Sequence, residues 1–404
     1  MLLHKIWGAV SNWILGVSGN RVARADADAG LVDAGLVENL AMHSVTEIIR
    51  RTKMKPHVNP FIEKTIRVFP PQGRYGKLRY DMNENPEGLP KEFVDSVLKE
   101  ITPEFLAIYP EPDRFLRMYA NFVGVKFENL MCTNGSDMAI RYLLETFGEV
   151  GKEVVTVAPS FEMYWVNCNI LGYKHVPVAY ELDLSLKIEK VIAAINENTR
   201  IVVLLNPNNP VGNVYSVEEF EAVRKRADEV GALVIVDEAY HYFYSKTFLN
   251  EALAAPNVVV LRTFSKLMSL AAVRLGVIIG SPELIGYARN ARLTFDANSI
   301  ALLFAERLMD RPDVIDGLIR TQQEGKDWLL DELDKMGYWS RDCMGNFIFI
   351  KPKHDAHDVS DRLEKMNVLV HPYGYPLLKD FIRVSTGSKT AMGRFLEAFK
   401  EADK

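Results

Sequence analysis

The chain's 404 residues are enough for a substantial core and for two domains, and 48% hydrophobic with 25% charged residues is the balance of an ordinary globular protein. A formal net charge of −5 and a pI near 6.0 argue against a nucleic-acid binder. Cys132, Cys168 and Cys343 are odd in number and widely scattered, which argues against a disulfide framework, and none stands at zinc-ligand spacing from a histidine.

Residues 1–57 read as an N-terminal extension. Its first stretch, "LLHKIWGAVSNWILGVSG", has the apolar content of a signal-peptide core, and "VARADADAG" supplies small residues after it. Against export, Ser11, Asn12 and Trp13 interrupt the run and its positive region is one lysine. The run is also too short and too polar to span a membrane. The alternative is an amphipathic segment that packs on the body or on a partner subunit, in a cytoplasmic protein. A helix is expected over "LVENLAMHSVTEIIRR", and the basic "IIRRTKMK" reads as a solvated helix end.

Residues 58–87 are expected to form an arm joining the smaller domain. From 88 to 295 the chain alternates β-branched runs with longer helical patterns. The strands are "EVVTVAP", "IVVLLNP", "LVIVDEAY", "VVVLRTF" and "GVIIG". Between them lies "SVEEFEAVRKRADEVG", with Ser216 as N-cap and Gly231 as stop signal. This alternation predicts an α/β domain whose mainly parallel sheet is covered by helices on both faces. Residues 296–404 change pattern to two long helices, "GNFIFIKP", a helix, "NVLVHP" and "DFIRVSTGS", which predicts a smaller α+β domain. His354 and His357 of "HDAH" read as a solvated loop rather than a metal site.

Ligands of open α/β sheets bind beyond the carboxyl ends of the strands, and the polar residues of this chain gather there. Asn209 follows one strand, Asp237 and Tyr240 close the next, and Thr263, Ser265 and Lys266 close a third. Singly, each has a plain explanation as a turn residue, a helix cap or a solvated lysine. Together they match one chemistry. A desolvated lysine has a lowered pKa and condenses with an aldehyde. An aspartate pairs with a protonated pyridine nitrogen, and Asn and Tyr share a phenolic oxygen on the same ring. The Thr263 and Ser265 hydroxyls, the Arg274 fork and the helix start in "TNGSDMAIRYLLETF" suit a phosphate, with Gly135 admitting close backbone approach. Aldehyde, pyridine, phenol and phosphate describe pyridoxal 5'-phosphate.

The stretches "NENPEG" (83–88), "YPEPD" (109–113), "NGSDMA" (134–139), "NPNNPVG" (206–212), "VDEAY" (236–240), "RTFSK" (262–266), "RLG" (274–276) and "FIRVSTGS" (381–388) carry a resemblance. From about residue 60 onward the chain resembles the fold-type I pyridoxal-phosphate aminotransferases of class I/II, and most of all the histidinol-phosphate aminotransferases and their relatives. The resemblance implies that Lys266 is the Schiff-base lysine and proton shuttle. It implies that Asp237 holds the pyridine nitrogen and that Asn209 and Tyr240 hold the ring oxygen. Gly135, Ser136, Asp137, Thr263, Ser265 and Arg274 would line the phosphate. Phe161 would stack on the ring, where the family more often has tyrosine or tryptophan, and phenylalanine lacks their polar handle. Tyr109 would reach the phosphate of a neighbouring subunit, which implies a homodimer. Arg383 would clamp the substrate carboxylate, with Asn85 lining the same pocket.

One departure bears on the substrate. Histidinol-phosphate aminotransferases commonly carry an arginine about twelve residues before the carboxylate arginine, and here that position is His371. Either the grip on a substrate phosphate is weakened or another residue, Arg292 among them, replaces it. The resemblance implies ping-pong transfer of an amino group between an amino acid and a 2-oxo acid, with no nucleic-acid or membrane partner. A lyase, decarboxylase or oxidase on the same scaffold is the alternative, because the cofactor stabilises a carbanion whichever bond breaks. A non-catalytic effector-binding domain fused to a DNA-binding module is the third. It fits poorly, since residues 1–57 show no helix-turn-helix pattern.

Overall fold

In the computed structural model, residues 56–67, 69 and 72–404 are described. The expected extension, with its helix over 36–51 and basic run over 48–55, lies outside them except for residues 56 and 57. Residues Asn59–Lys404 form one compact unit.

A seven-stranded sheet organises this unit. Its strands are β1 (Leu130–Thr133), β2 (Glu153–Ala158), β3 (Lys174–Ala179), β4 (Thr199–Leu205), β5 (Leu233–Asp237), β6 (Val258–Thr263) and β7 (Gly276–Gly280). Their spatial order is β1-β7-β6-β5-β4-β2-β3, and only β7 runs against the rest. The five expected strands all form. β1 and β3 had escaped notice for physical reasons. β1 is four residues long, and β3 is an edge strand whose Lys174, His175 and Pro177 blur the apolar pattern.

Central strands are apolar on both faces because both faces are covered. Along β4, Val202 and Leu204 join one core, while Ile201, Val203 and Leu205 join the core on the opposite face. The helix Val217–Glu229 covers the first face through Phe220, Val223 and Ala227. Ser216 and Glu219 form a reciprocal capping box at its start, worth about 1 kcal/mol, and Gly231 stands just past its end at φ 70°. Gly135–Phe147 and Pro282–Ala291 cover the other face.

A second, four-stranded antiparallel sheet runs in the order His371–Pro372, Ile382–Ser385, Phe347–Lys351, Trp339–Asp342. Phe347 and Phe349 face the core of the large sheet. Ile348 and Ile350 face a third core with Leu329, Leu333, Phe395 and Phe399. The arm is held here: Leu78 and Arg79 pair in parallel with Val368 and Leu369, and Tyr80 packs edge-on to Phe395.

The helix Ser299–Met309, just past the expected boundary at 295/296, buries Ala301, Phe304 and Leu308 in the large-sheet core. The change of core falls inside the 24-residue helix Pro312–Lys335, where Val314, Ile315 and Leu318 join the large core and Leu329 and Leu333 the third. "HDAH" is a helix start rather than a loop. Asp355 caps Ala356–Lys365, His354 Nδ1 lies 3.0 Å from Asp403, and His357 Nε2 lies 3.2 Å from the Tyr373 carbonyl. The three cysteines are buried and free. Among the described residues no helix is long and apolar enough to cross a membrane.

Candidate active site

The registers of the large sheet bring the motif residues together. Leu205, Asp237 and Leu261 stand abreast on β4, β5 and β6, and Thr263, Gly276 and Thr133 abreast on β6, β7 and β1. Every loop leaving this edge therefore opens at one place. Gly276 lets the start of the Gly135–Phe147 helix sit directly on β7, since a Cβ there would lie 2.6 Å from the Ser136 nitrogen. Gly135, at φ 72°, leaves room for Arg274: a Cβ at Gly135 would lie 2.5 Å from its guanidinium.

That guanidinium bonds Asp137 at 2.7 Å and the Ser265 hydroxyl at 3.3 Å, and Ser265 N–H donates to the Thr263 hydroxyl at 3.1 Å. Arginine, three hydroxyls counting Ser136, and the unpaired N–H groups of a helix's first turn form a cup with the donors a phosphate requires. Asp296 anchors the cup from behind, accepting from Asn134 N–H and from the Tyr142 hydroxyl at 2.8 and 2.9 Å.

Asp237 is almost wholly buried at 3% exposure and, among the described residues, has no cationic partner. It accepts from the Tyr164 hydroxyl at 2.9 Å and from Ala239 N–H at 3.1 Å. Burial nevertheless pushes its carboxyl up to about 6. Lys266, half-buried, donates to the Met82 carbonyl at 3.0 Å and, among the described residues, forms no ion pair with a carboxylate. Desolvation and the nearby Arg383 push its amine down to about 8.

Arg383 reaches Asn209 Oδ1 at 2.7 Å and the Asp81 carbonyl at 2.5 Å, and its Nε has no partner. Its guanidinium lies 5.6 and 5.9 Å from the ring centres of Phe347 and Tyr373. Tyr240 is buried, 5.9 Å from Lys266 Nζ measured to its ring centre. Phe161 packs at the edge of the core that holds Tyr164.

Of the expected site residues, Lys266, Asp237, Tyr240, Asn209 and Arg383 thus converge, and Ser136, Asp137, Thr263, Ser265 and Arg274 build the cup. Three stand differently. Asn85 spends its amide on the Gly88 carbonyl and the Ser269 hydroxyl and its oxygen on Glu87 N–H, so it folds the loop and Asn83 contacts Tyr240 instead. Tyr109 is 72% exposed and stacks on Phe295 at 4.1 Å. His371 keeps solvent contact, yet the surrounding protein atoms and Arg383 push its imidazole down to about 4.

Tyr164, Asn83 and Asp296 had gone unnoticed. Phe161 precedes the helix Met163–Leu171 that carries Tyr164, and no local pattern marks Tyr164 as the partner of Asp237, 73 positions on.

Pyridoxal phosphate fits these groups. The buried, uncompensated Asp237 suits a protonated pyridine nitrogen, Lys266 an aldehyde, the Arg274 cup a phosphate, and the unpartnered Arg383 Nε a substrate carboxylate. The family described as aminotransferase class I and II matches residues 77–399. The histidinol-phosphate aminotransferase of Clostridium novyi (strain NT) is 31% identical over 330 residues, covering 81% of this chain and 92% of that protein. The enzyme of the same name from Aquifex aeolicus (strain VF5) is 32% identical over 333 residues, covering 81% and 93%. Among solved structures, histidinol-phosphate aminotransferase from Sinorhizobium meliloti in complex with pyridoxal-5'-phosphate superposes with a TM-score of 0.79 at 21% identity, over 87% of this chain and 98% of that one. Aspartate aminotransferase from Thermus thermophilus with maleate has the same fold, with a TM-score of 0.70 at 18% identity over 86% and 100%. This chain belongs to the class I and II aminotransferases and is a pyridoxal-phosphate-dependent enzyme that transfers amino groups between amino acids and 2-oxo acids.

Proposed function

We propose that the enzyme transaminates an unphosphorylated, preferably aromatic, α-amino acid, with Lys266 as the catalytic base and Arg383 as the carboxylate anchor. Pyridoxal phosphate, when bound, supplies the aldehyde that receives the amino group and a protonated ring that draws off electrons from the α-carbon. The remaining work belongs to the chain. Arg383, steered by Asn209 and the Asp81 carbonyl, fixes the carboxylate, so the α-hydrogen points to one side. Lys266, neutral above about pH 8, would take up that proton on its Nζ and, as the ammonium, would give it back, acting as base and then as acid. Asp237, held by the Tyr164 hydroxyl, would pair in its ionised form with the pyridine nitrogen. Tyr240 and Asn209 would hold the ring oxygen, Phe161 would pack against the ring, and the Arg274 cup would hold the phosphate.

The observation that carries this assignment is Lys266 itself: a half-buried amine with no carboxylate partner, beside Arg383 and at the mouth of a phosphate cup. Borohydride reduction of the yellow holoenzyme followed by peptide mapping tests it, and an adduct on any other lysine sinks it. A panel of amino donors tests the reaction, because a transaminase yields a 2-oxo acid without releasing carbon dioxide or free ammonia.

Preference for an unphosphorylated side chain is supported by His371, which is neutral at pH 7, and by Tyr373 and Tyr375 beside it. The names of the curated relatives favour a second reading, histidinol phosphate. Relative kcat/KM for histidinol phosphate, phenylalanine and tyrosine decides between them.

A homodimer is supported by exposed apolar side chains around the stacked Tyr109 and Phe295. Leu106 is 63%, Ile108 55% and Leu293 64% exposed, and exposed apolar side chains gathered in one region mark an interaction surface.

A further inference from the structure

The segment Asp81–Asn85 crosses the site, and its groups are taken up by residues from both sheets. The Asp81 carbonyl accepts from Arg383 and the Met82 carbonyl from Lys266. Asn83 stands at its centre, 1% exposed and in the left-handed region at φ 55°. The Ser385 hydroxyl accepts Asn83 N–H at 2.8 Å and donates to Asn83 Oδ1 at 3.2 Å. The Asn346 amide donates to the Asn83 carbonyl at 3.0 Å. With Oδ1 turned to Ser385, the amide nitrogen is left facing the Tyr240 hydroxyl at 2.9 Å.

A tyrosine hydroxyl has one proton. If Asn83 donates to the Tyr240 oxygen, the proton of Tyr240 must point elsewhere, and among the described residues the hydroxyl has no hydrogen-bond partner other than Asn83. We propose that Asn83 is a positioning residue that holds Tyr240 as a hydrogen-bond donor toward the cofactor's ring oxygen. Ser385 lies two residues after Arg383 on the same strand face, so the substrate anchor and the orientation of Tyr240 are tied to one strand. This inference rests on the proposed role of Tyr240.

The readout is the pH midpoint of the holoenzyme's visible absorbance, which follows loss of the proton shared by the lysine nitrogen and the ring oxygen. A donor to that oxygen stabilises the deprotonated form, where the oxygen's charge is bare, so losing the donor raises the midpoint. The charged and titratable groups facing this centre are Lys266, Arg383, Asp237, Glu84, Asp137 and Arg274, with Tyr373 and Tyr164. None of them is altered by changing Asn83 to glycine, and glycine accepts the left-handed backbone.

Asn83→Gly should raise the midpoint by about half to one pH unit, the size of one neutral hydrogen bond. In a Tyr240→Phe background the same change should add no shift. An unchanged midpoint for Asn83→Gly, or a lowered one (the sign expected if Tyr240 instead donates to Asn83 Oδ1), overturns the inference while Tyr240→Phe still raises the midpoint. Should Tyr240→Phe itself leave the midpoint unmoved, the role assigned to Tyr240 falls, and this inference with it. If Asn83→Gly fails to fold, Asn83→Asp serves, because aspartate also tolerates the left-handed region. Its added charge shifts the midpoint in both backgrounds, and the shift must be larger when Tyr240 is present. Equal shifts would count against the relay.

Discussion

His371 and Arg383 face each other as Cα partners across the antiparallel strands His371–Pro372 and Ile382–Ser385. The pairing puts the position where histidinol-phosphate aminotransferases commonly carry a second arginine next to the carboxylate anchor. Two arginines there would repel each other unless an anionic substrate lay between them. With His371 held neutral, Arg383 is compensated by carbonyl oxygens alone. His371→Arg should therefore raise kcat/KM for histidinol phosphate by about tenfold to hundredfold, the worth of one charge-assisted hydrogen bond, and leave phenylalanine unimproved. Equal effects on both substrates would mean that His371 does not face the side chain.

The amine of Lys266 governs how fast the cofactor-free protein captures pyridoxal phosphate. Burial lowers its pKa to about 8, so below that pH most of the amine is protonated and not nucleophilic. The rate constant for covalent capture should rise about tenfold per pH unit up to about 8 and level off above it, as neutral amine saturates. Stopped-flow mixing across the pH range measures this. A plateau near the pKa of a free lysine would show that the site does not desolvate the amine. Lys266→Ala should lose about 10²–10⁴ in rate or more, since acid–base and nucleophilic roles go together.

Asp237 depends on Tyr164 for one of its two hydrogen bonds. Below about pH 6 the carboxyl of the cofactor-free protein takes up a proton, and cofactor affinity should weaken as pH falls through that value. Tyr164→Phe removes a donor to the charged form, raises the carboxyl pKa further and moves this weakening to higher pH. Titrating cofactor affinity against pH for both proteins checks it, and superimposed curves would leave Tyr164 a packing residue. Asp237→Asn should keep the cofactor and lose most of its turnover, because an amide cannot hold the ring nitrogen protonated.

What could be read from the sequence were residues whose partners are chain-local or whose place is fixed by a strand end. Lys266, Thr263 and Ser265 follow one β-branched run, and Asp237 and Tyr240 another. Tyr164 and Asn83 could not be read that way. Tyr164 meets Asp237 across 73 positions of chain, and Asn83 meets Tyr240 across 157, so nothing local marks either contact. The core that each C-terminal helix joins is not legible either. Ser299–Met309 is apolar round most of its circumference, so its sequence does not say which core it enters. Asn85 is the opposite case: a motif position whose amide and oxygen are bonded within its own surroundings, to Gly88, Ser269 and Glu87, which its place in the motif does not reveal.

Tyr109 carries the last prediction. A tyrosine 72% exposed and stacked flat on Phe295, itself 51% exposed, leaves a large apolar surface in water. Leu106 and Ile108 line the same cavity of about 670 Å³, which opens between residues 105–110 and 295–300, and Leu293, two residues before Phe295, is exposed as well. A second copy of the chain covering this surface would bury it and bring Tyr109 toward the other subunit's phosphate cup. Sedimentation should then show a dimer, and Tyr109→Ala should weaken cofactor binding while Lys266 stays intact. The decisive arrangement mixes two inactive variants, Lys266→Ala and Tyr109→Ala, under conditions that exchange subunits. If Tyr109 serves the partner, each mixed dimer holds one site lacking both residues and one lacking neither, so random exchange restores about a quarter of wild-type activity. If Tyr109 acts within its own chain, every site keeps a defect, and mixing restores nothing.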